Sequence, residues 1–214
     1  RAWEEMESPE DLEPMTAVLG ALGRLGDEEA ERLLRGAEAH PHPVLAGQAR
    51  RALRRLGLQP VPAQDPEGPE VPSLDWEALA ELGPRPRLVL ENMRGEMVLE
   101  LHTTSAPLTV QTITRLAREG SYDGVPFHRV VPNFVVQGGD FSRGDGFGGP
   151  GFVIRSEFTR TPYLRGVLGM ASAGKDTEGS QYFITHSMQH HLDGRYTAFG
   201  HVAEGMGVVD RIRQ

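Results

Sequence analysis

The sequence predicts a multidomain protein of α and β structure, in which a helical N-terminal segment precedes a closed β-barrel. Three observations support this prediction. A six-residue motif recurs within residues 1–57 among helix-like apolar spacings, residues 58–75 are acidic and rich in proline, and from residue 87 apolar residues alternate with a period of two. We therefore divide the chain into a helical segment (1–57), a linker (58–75) and a barrel domain (76–214).

The repeated motif of the helical segment reads ALGRLG at 21–26 and ALRRLG at 52–57, an offset of 31 residues. A repeat of this length is typical of helical solenoids. Asp27 is suited to cap one helix and Pro43 to begin the next, and an earlier helix is expected to start after Ser8. The segment resembles HEAT-like repeats, as one helix pair preceded by a single helix. An ordinary three-helix appendage is the alternative.

Composition limits the function classes. Residues 58–75 contain four acidic residues and no basic one, with prolines that favour an extended, semi-rigid tether. The net charge is −8, and we expect no nucleic-acid partner because no large basic face is visible. No membrane span is expected, since charged residues interrupt every apolar stretch. The chain has no cysteine, which excludes disulfides and thiol catalysis.

The elements of the barrel domain follow in order. A short helix is predicted over LDWEALAELG, then a hairpin from RLVLE and EMVLEL, then a helix over APLTVQTITRLAREG. Six further apolar runs are predicted as strands: FHRVV, FVVQGGD, GFVIRSE, GVLGMA, QYFITH and TAFGHV. Short strands in this number favour a closed barrel over a parallel sheet.

Four segments resemble, in order and spacing, the motifs of the cyclophilin family of peptidyl-prolyl isomerases. They are YDGVPFHRVVPNFVVQGGDF, GDGFGGPGF, RGVLGMASAGKDTEGSQYFITH and HLDGRYTAFGHV, and the resemblance runs from about Arg87 to Arg213. It implies a flattened, closed eight-stranded antiparallel barrel with two capping helices. It also implies catalysis of cis–trans exchange at X–Pro bonds without a metal or a cofactor.

The resemblance implies a set of site residues. Arg129 matches the catalytic arginine, Gln137 matches the residue that positions it, and Phe134 matches a wall of the proline pocket. The matched substrate-binding positions are Val135, Ala171, Ser172, Ala173, Gln181, Phe183, His191, Leu192 and Tyr196. An arginine suits the chemistry, because the twisted X–Pro bond leaves the prolyl nitrogen unconjugated and basic, and a fixed cation stabilises that state.

Four of these positions differ from residues that are common in the family. Val135 stands where methionine is common, Ser172 where asparagine is frequent, and Tyr196 where many members have histidine. His191 stands where many eukaryotic members have the tryptophan that helps to grip cyclosporin. Catalysis is still expected, since Arg129 and the phenylalanines are present, but cyclosporin binding is expected to be weak.

The expected partners are proline-containing peptides and unfolded proteins, whose folding the isomerase would assist. A protein partner is expected to bind through the helical segment. The alternative function is a proline-peptide binding or chaperone module with little turnover, recruited through the same helices. The pairs His40–His42 and His190–His191 lack a third ligand at zinc-like spacing, so no metal site is expected. A bacterial source is expected, and the start at Arg1 slightly favours export over the cytoplasm.

Overall fold

The structure, a computed structural model, describes residues 12–40, 43–61, 72–146, 148–172 and 174–212. The chain divides into two compact units, residues 1–66 and 67–214. The boundaries proposed from the sequence, at 57/58 and 75/76, stay predictions, and the expected helix start after Ser8 lies outside the described residues. Within the described ranges, no helix is both long enough and apolar enough to cross a membrane.

The described residues of the first unit form three helices, as the sequence predicts: α1 (Leu12–Leu25), α2 (Glu28–Ala37) and α3 (Pro43–Arg55). Asp27 caps α2, since its Oδ1 accepts a hydrogen bond of 2.7 Å from the N–H of Ala30. Helices α1 and α3 approach closely, because a Cβ added to Gly23 would lie 2.7 Å from the Cβ of Ala52. The small core between the three helices consists of Met15, Leu19, Leu34, Ala37, Leu45, Ala49, Ala52 and Leu53.

Both copies of the repeated motif end a helix. Gly26 and Gly57 take left-handed conformations, with φ of 68° and 74°. After the second copy, the N–H of Leu58 donates to the carbonyl oxygen of Leu53 at 3.0 Å, which satisfies an acceptor at the helix end. The recurring glycine therefore has a local structural reason. The HEAT-like character of the unit stays a prediction.

Each end of the predicted linker is hydrogen-bonded within its own unit. The N–H of Val61 donates to Glu38 Oε1 at 2.9 Å in the first unit. In the second unit, Gln111 donates from Nε2 to the carbonyl oxygen of Ser73 and accepts at Oε1 from the N–H of Asp75, both at 2.8 Å. Residues 62–71, between these two anchors, lie outside the described residues.

The second unit is one antiparallel sheet with helices packed on it. Its elements are α4 (Trp76–Leu82), β1 (Arg87–Asn92), β2 (Gly95–Leu101), α5 (Pro107–Arg118), β3 (Arg129–Val131), β4 (Val135–Gly138), β5 (Val167–Met170), β6 (Tyr182–Thr185), a 3-10 turn (His190–Leu192), β7 (Ala198–Glu204) and α6 (Met206–Arg211). The strand order is β1-β2-β7-β5-β6-β4-β3. Both α5 and α6 contribute to the core beneath the sheet, through residues such as Val110 and Val209.

The prediction of a closed eight-stranded barrel is wrong. The described residues form seven strands, and β1 and β3 are the two edges of the sheet rather than a closing pair. The predicted strand GFVIRSE makes a single bridge, from Ile154 to Glu178. Glu157 in that segment instead caps α5, because its two carboxylate oxygens accept from the N–H groups of Leu108 and Thr109 at 3.1 and 2.9 Å.

Glu178 carries a carboxyl group buried inside the second unit. It is 0% exposed, and its Oε1 accepts a hydrogen bond of 2.8 Å from the hydroxyl of Thr197. Burial raises the pKa of Glu178 from its ordinary value of 4.5 to about 7. The folded state therefore binds this proton more tightly than the unfolded state does.

We expect the stability of the protein to fall as pH rises because of Glu178. Its contribution is fully present below pH 4.5 and is lost as the pH rises through about 7, at a cost of about 3 kcal/mol. Glu178→Gln should remove this loss, whereas Glu81→Gln at an exposed carboxylate should not. Urea unfolding at pH 5 and pH 8 measures the difference. Equal pH dependence in the wild type and Glu178→Gln would contradict the assignment.

Candidate active site

A row of paired residues places the main candidates on one face of the sheet. Arg129 pairs with Gln137 across β3 and β4, Gln137 with Phe183 across β4 and β6, and Phe183 with Gly169 across β6 and β5. Side chains of directly paired residues point to the same face. This is the outer face, since the neighbouring Val136 belongs to the core on the opposite side. The sheet thus presents Arg129 and Gln137 away from the core.

A chain of side-chain hydrogen bonds fixes Arg129. Its Nη1 donates to Gln137 Oε1 at 3.3 Å, and Gln137 Nε2 donates to Gln181 Oε1 at 3.1 Å. Gln181 Nε2 donates in turn to the carbonyl oxygens of Gly146 and Gly148, both at 2.8 Å. This polar chain (Arg129, Gln137 and Gln181) ends on the backbone of the loop that contains Gly146 and Gly148. It therefore holds the exposed guanidinium of Arg129 through its Nη1 atom.

A buried carboxylate organises the loop that holds Gln181. Asp140 is 1% exposed, and its oxygens accept from the N–H groups of Arg143, Asp145, Gly146 and Gly148 at 2.7 to 3.1 Å. Burial alone would raise the pKa of Asp140, but the backbone donors outweigh it and lower the pKa to about 2. The carboxylate is therefore charged at neutral pH. It keeps in place the carbonyl groups of Gly146 and Gly148, which accept hydrogen bonds from Gln181.

Beside the polar chain lies an apolar cluster on the same face. This outer apolar cluster consists of the buried residues Val135, Tyr163, Val167, Phe183, Leu192 and Ala198, with Phe134, Ala171 and Tyr196 packed at its edge. The ring of Phe183 stands edge-on to Tyr196, with centroids 5.9 Å apart, and lies 5.6 Å from the ring of Tyr163. Such a surface is suited to hold a small apolar ring next to a cation.

Gly169 makes room for the aromatic residues of the cluster. A Cβ at this position would lie 2.6 Å from Tyr163 Oη and 2.7 Å from Phe183 Cε2, which is closer than real Cβ contacts allow. The backbone of β5 therefore lies directly under both rings. Phe183 takes its position because residue 169 has no side chain.

Further candidates line the edges of the site. The guanidinium carbon of Arg129 lies 5.6 Å from the ring centroid of Phe134, and Phe134 stacks on the exposed His191 with centroids 5.5 Å apart. The N–H of Ala171 donates to the carbonyl oxygen of Gln181 at 2.9 Å, and the half-buried Ser172 follows it. Ala173, which was predicted for the same strip, lies outside the described residues.

Three residues of the site were missed from the sequence. Tyr163 reads as an isolated aromatic residue in a loop, and Gly169 reads as one of many glycines. Asp140 is the last residue of the predicted strand FVVQGGD and precedes the glycine-rich GDGFGG segment, which is a signal that it could bind that loop. The sequence did not show the first two, because their roles depend on contacts between strands.

We expect Asp140→Asn to lower activity without touching the site directly. The variant loses the charge that four backbone N–H groups share, so the loop below Gln181 loosens at a stability cost of about 2 kcal/mol. The value of kcat for a prolyl peptide should fall by about tenfold while KM changes less. Asp123→Asn, at an exposed aspartate outside the network, is the control. Unchanged kcat in a folded Asp140→Asn would contradict this role.

Comparison with known proteins supports one family. Residues 87–214 match the family model of the cyclophilin type peptidyl-prolyl cis-trans isomerase/CLD. A peptidyl-prolyl cis-trans isomerase of Synechococcus elongatus is 45% identical over 127 residues, covering 58% of this chain and 87% of that protein. Peptidyl-prolyl cis-trans isomerase B of Bacillus subtilis is 51% identical over 114 residues, covering 52% and 79%.

A solved structure shows the same fold. It is a cyclophilin type peptidyl-prolyl cis-trans isomerase of Cryptosporidium parvum, determined in the presence of the dipeptide Ala-Pro. Its TM-score is 0.57 at 30% identity, and the match covers 60% of this chain and 85% of that one.

Proposed function

The chain belongs to the family of cyclophilin-type peptidyl-prolyl cis-trans isomerases and has that activity, and we propose that it acts through Arg129 beside the outer apolar cluster. The observation that carries the proposal is the hydrogen-bonded chain that holds an exposed guanidinium next to a buried aromatic surface. The substrates are proline-containing segments of peptides and unfolded proteins. Ala-Pro, present in the structure determination of the relative from Cryptosporidium parvum, is the simplest of these.

The apolar cluster binds the prolyl ring, with Phe183 as its floor and Phe134 and Leu192 at its sides. Burying the ring removes water from the bond that rotates, which strengthens nearby electrostatic interactions. The strip at Ala171 and Ser172 lies alongside, where it binds the main chain of an extended peptide.

Arg129 stabilises the transition state rather than the ground state. In the planar amide the prolyl nitrogen shares its electron pair with the carbonyl group, whereas in the twisted state that pair becomes a hydrogen-bond acceptor. A guanidinium aimed at the nitrogen binds the twisted state more strongly, which lowers the barrier. Gln137 and Gln181 act as positioning residues. Gln137 accepts a hydrogen bond from Arg129, and Gln181 accepts one from Gln137 and so acts on Arg129 through it. The reaction needs no proton transfer.

We also propose a role for the first unit. Its repeated motif and stacked helices support a HEAT-like unit that binds a protein partner, since such repeats provide extended binding surfaces. This role would bring the isomerase to its protein substrates.

Exchange spectroscopy by NMR on an Ala-Pro peptide tests the proposed function. Uncatalysed cis–trans exchange takes about tens to hundreds of seconds. The full chain, at a concentration far below that of the peptide, should make this exchange much faster. Binding of the peptide by a folded chain without faster exchange would contradict the proposal. That result would favour a proline-peptide binding module.

We expect cyclosporin to inhibit the isomerase weakly. His191 is exposed and stacks on Phe134, where it offers less apolar area than the tryptophan of other members. His191→Trp should lower the inhibition constant by about tenfold or more, whereas His190→Trp should not. Low-nanomolar inhibition of the wild-type protein would contradict the expectation.

A further inference from the structure

Two histidines and a glutamate meet on the second unit, and none of the three belongs to the polar chain or to the outer apolar cluster. His102 Nε2 lies 3.0 Å from His201 Nδ1, and one ligand atom from each of Glu100, His102 and His201 lies within 4.8 Å of the other two. No other group of three potential ligands this close occurs in the part of the chain that the structure describes. We call these three residues the histidine cluster.

The sheet register brings the cluster together. Glu100 pairs directly with His201 across β2 and β7, and His102 lies two residues after Glu100 on the same side of the chain. Their neighbours Leu99 and Leu101 point into the core, so the cluster lies on the outer face. Residues 102 and 201 are 99 positions apart, which is why the sequence showed only isolated histidines.

The donor set and its spacing fit a divalent transition metal. Two imidazole nitrogens and a carboxylate oxygen are ligands that Zn²⁺ prefers, and ligand atoms around a tetrahedral Zn²⁺ lie about 3.3 Å apart. The two imidazole nitrogens already lie near that separation.

Two arginines compete with the metal for Glu100. Arg85 Nη1 lies 3.1 Å from Oε1 and Arg87 Nη2 lies 3.6 Å from Oε2, but the arginine side chains are 71% and 56% exposed. Glu100 itself is only 12% exposed, so it stays in place while the exposed arginine side chains are free to move away from it. One oxygen of Glu100 is enough for a metal, so the second can keep its arginine.

We propose that Glu100, His102 and His201 form a binding site for a divalent transition metal, with Zn²⁺ as the best fit and water at the fourth position. Bound there, the ion links β2 to β7. His201 lies on β7, two strands from β6, and the row of Phe183 crosses β7 at Ala198, three residues before His201. The site is separate from the polar chain, and it does not depend on the proposed catalytic role of Arg129.

Calorimetric titration of the metal-free full chain with ZnCl₂ tests the site. One Zn²⁺ per chain should bind with a Kd of about 10 μM or tighter at pH 7.5, and the melting temperature should rise with Zn²⁺. His102→Gln and His201→Gln should each weaken binding by about tenfold or more. His190→Gln, which removes an exposed histidine paired only with Asp193 in the structure described, should leave the Kd unchanged.

A gain-of-affinity variant keeps the test decisive if a histidine variant is unstable. Arg85→Gln removes an exposed competitor for Glu100 and should tighten Zn²⁺ binding by about threefold. Bound Co²⁺ should show the intense visible absorption of a four-coordinate ion in the wild type and in Arg85→Gln. The absence of saturable binding to the wild type, or an unchanged Kd in a folded His201→Gln, would overturn the proposal.

Discussion

Replacing Arg129 by alanine is expected to lower kcat/KM for an Ala-Pro substrate by about 10² to 10³-fold. The loss is large because the guanidinium acts where electron density develops on the prolyl nitrogen, next to an apolar surface that excludes water. The fold should tolerate the change, since the exposed side chain of Arg129 makes one hydrogen bond, of 3.3 Å to Gln137, within the residues that the structure describes. Exchange kinetics and thermal melting of the same sample measure both effects.

Arg129→Lys is the matched control for charge. Lysine keeps the charge but lacks the planar fork that Gln137 and the ring of Phe134 orient. We expect it to recover a minor part of the activity, which separates orientation from charge. Full activity in Arg129→Ala would show that the arginine is not the catalytic group.

Replacing Gly169 by alanine is expected to disrupt the substrate pocket from below. The new methyl group would meet Tyr163 Oη and the Phe183 ring at distances that force both rings to move. Overpacking of this kind costs about 1 to 3 kcal/mol of stability. The displaced ring of Phe183 should also raise KM by about tenfold, because it forms the floor that binds the prolyl ring.

Gly207→Ala is the control for this substitution. Gly207 lies in α6 of the same unit, where a Cβ would make an ordinary 3.6 Å contact with Arg211. Alanine there should be neutral or slightly stabilising, since it favours the helix. If Gly169→Ala keeps the wild-type melting temperature and KM, the close packing beneath Phe183 does not control the site.

The sequence predicted most elements of the second unit but wrongly predicted that the sheet closes into a barrel. Apolar alternation located the seven strands, the segment APLTVQTITRLAREG was predicted separately as the helix α5, and in the first unit Asp27 and Pro43 located helix starts. The same alternation also predicted a strand around Ile154. It failed there because the carboxylate of Glu157 caps a helix almost fifty residues earlier in the chain, a long-range contact that periodicity does not encode.

The part of the candidate site that lies within one continuous sequence motif could be predicted. Arg129 and Gln137 lie on two strands joined by a tight turn, in which Asn133 takes a left-handed φ of 59°, so local sequence brings them into register. Gly169 and the histidine cluster depend on pairing between distant strands. Their residue types are common, and only the sheet register shows what they contact.

The catalytic role of Arg129 is tested most sharply by measuring ground-state binding and catalysis separately in Arg129→Ala. NMR titration and line-shape analysis of one Ala-Pro peptide give both its Kd and its exchange rate while bound. We predict that the Kd changes by less than about threefold while the bound exchange rate falls by about 10²-fold or more, because Arg129 acts on the transition state. A loss of peptide affinity of about 10²-fold, with the exchange rate of the bound peptide unchanged, would contradict that role.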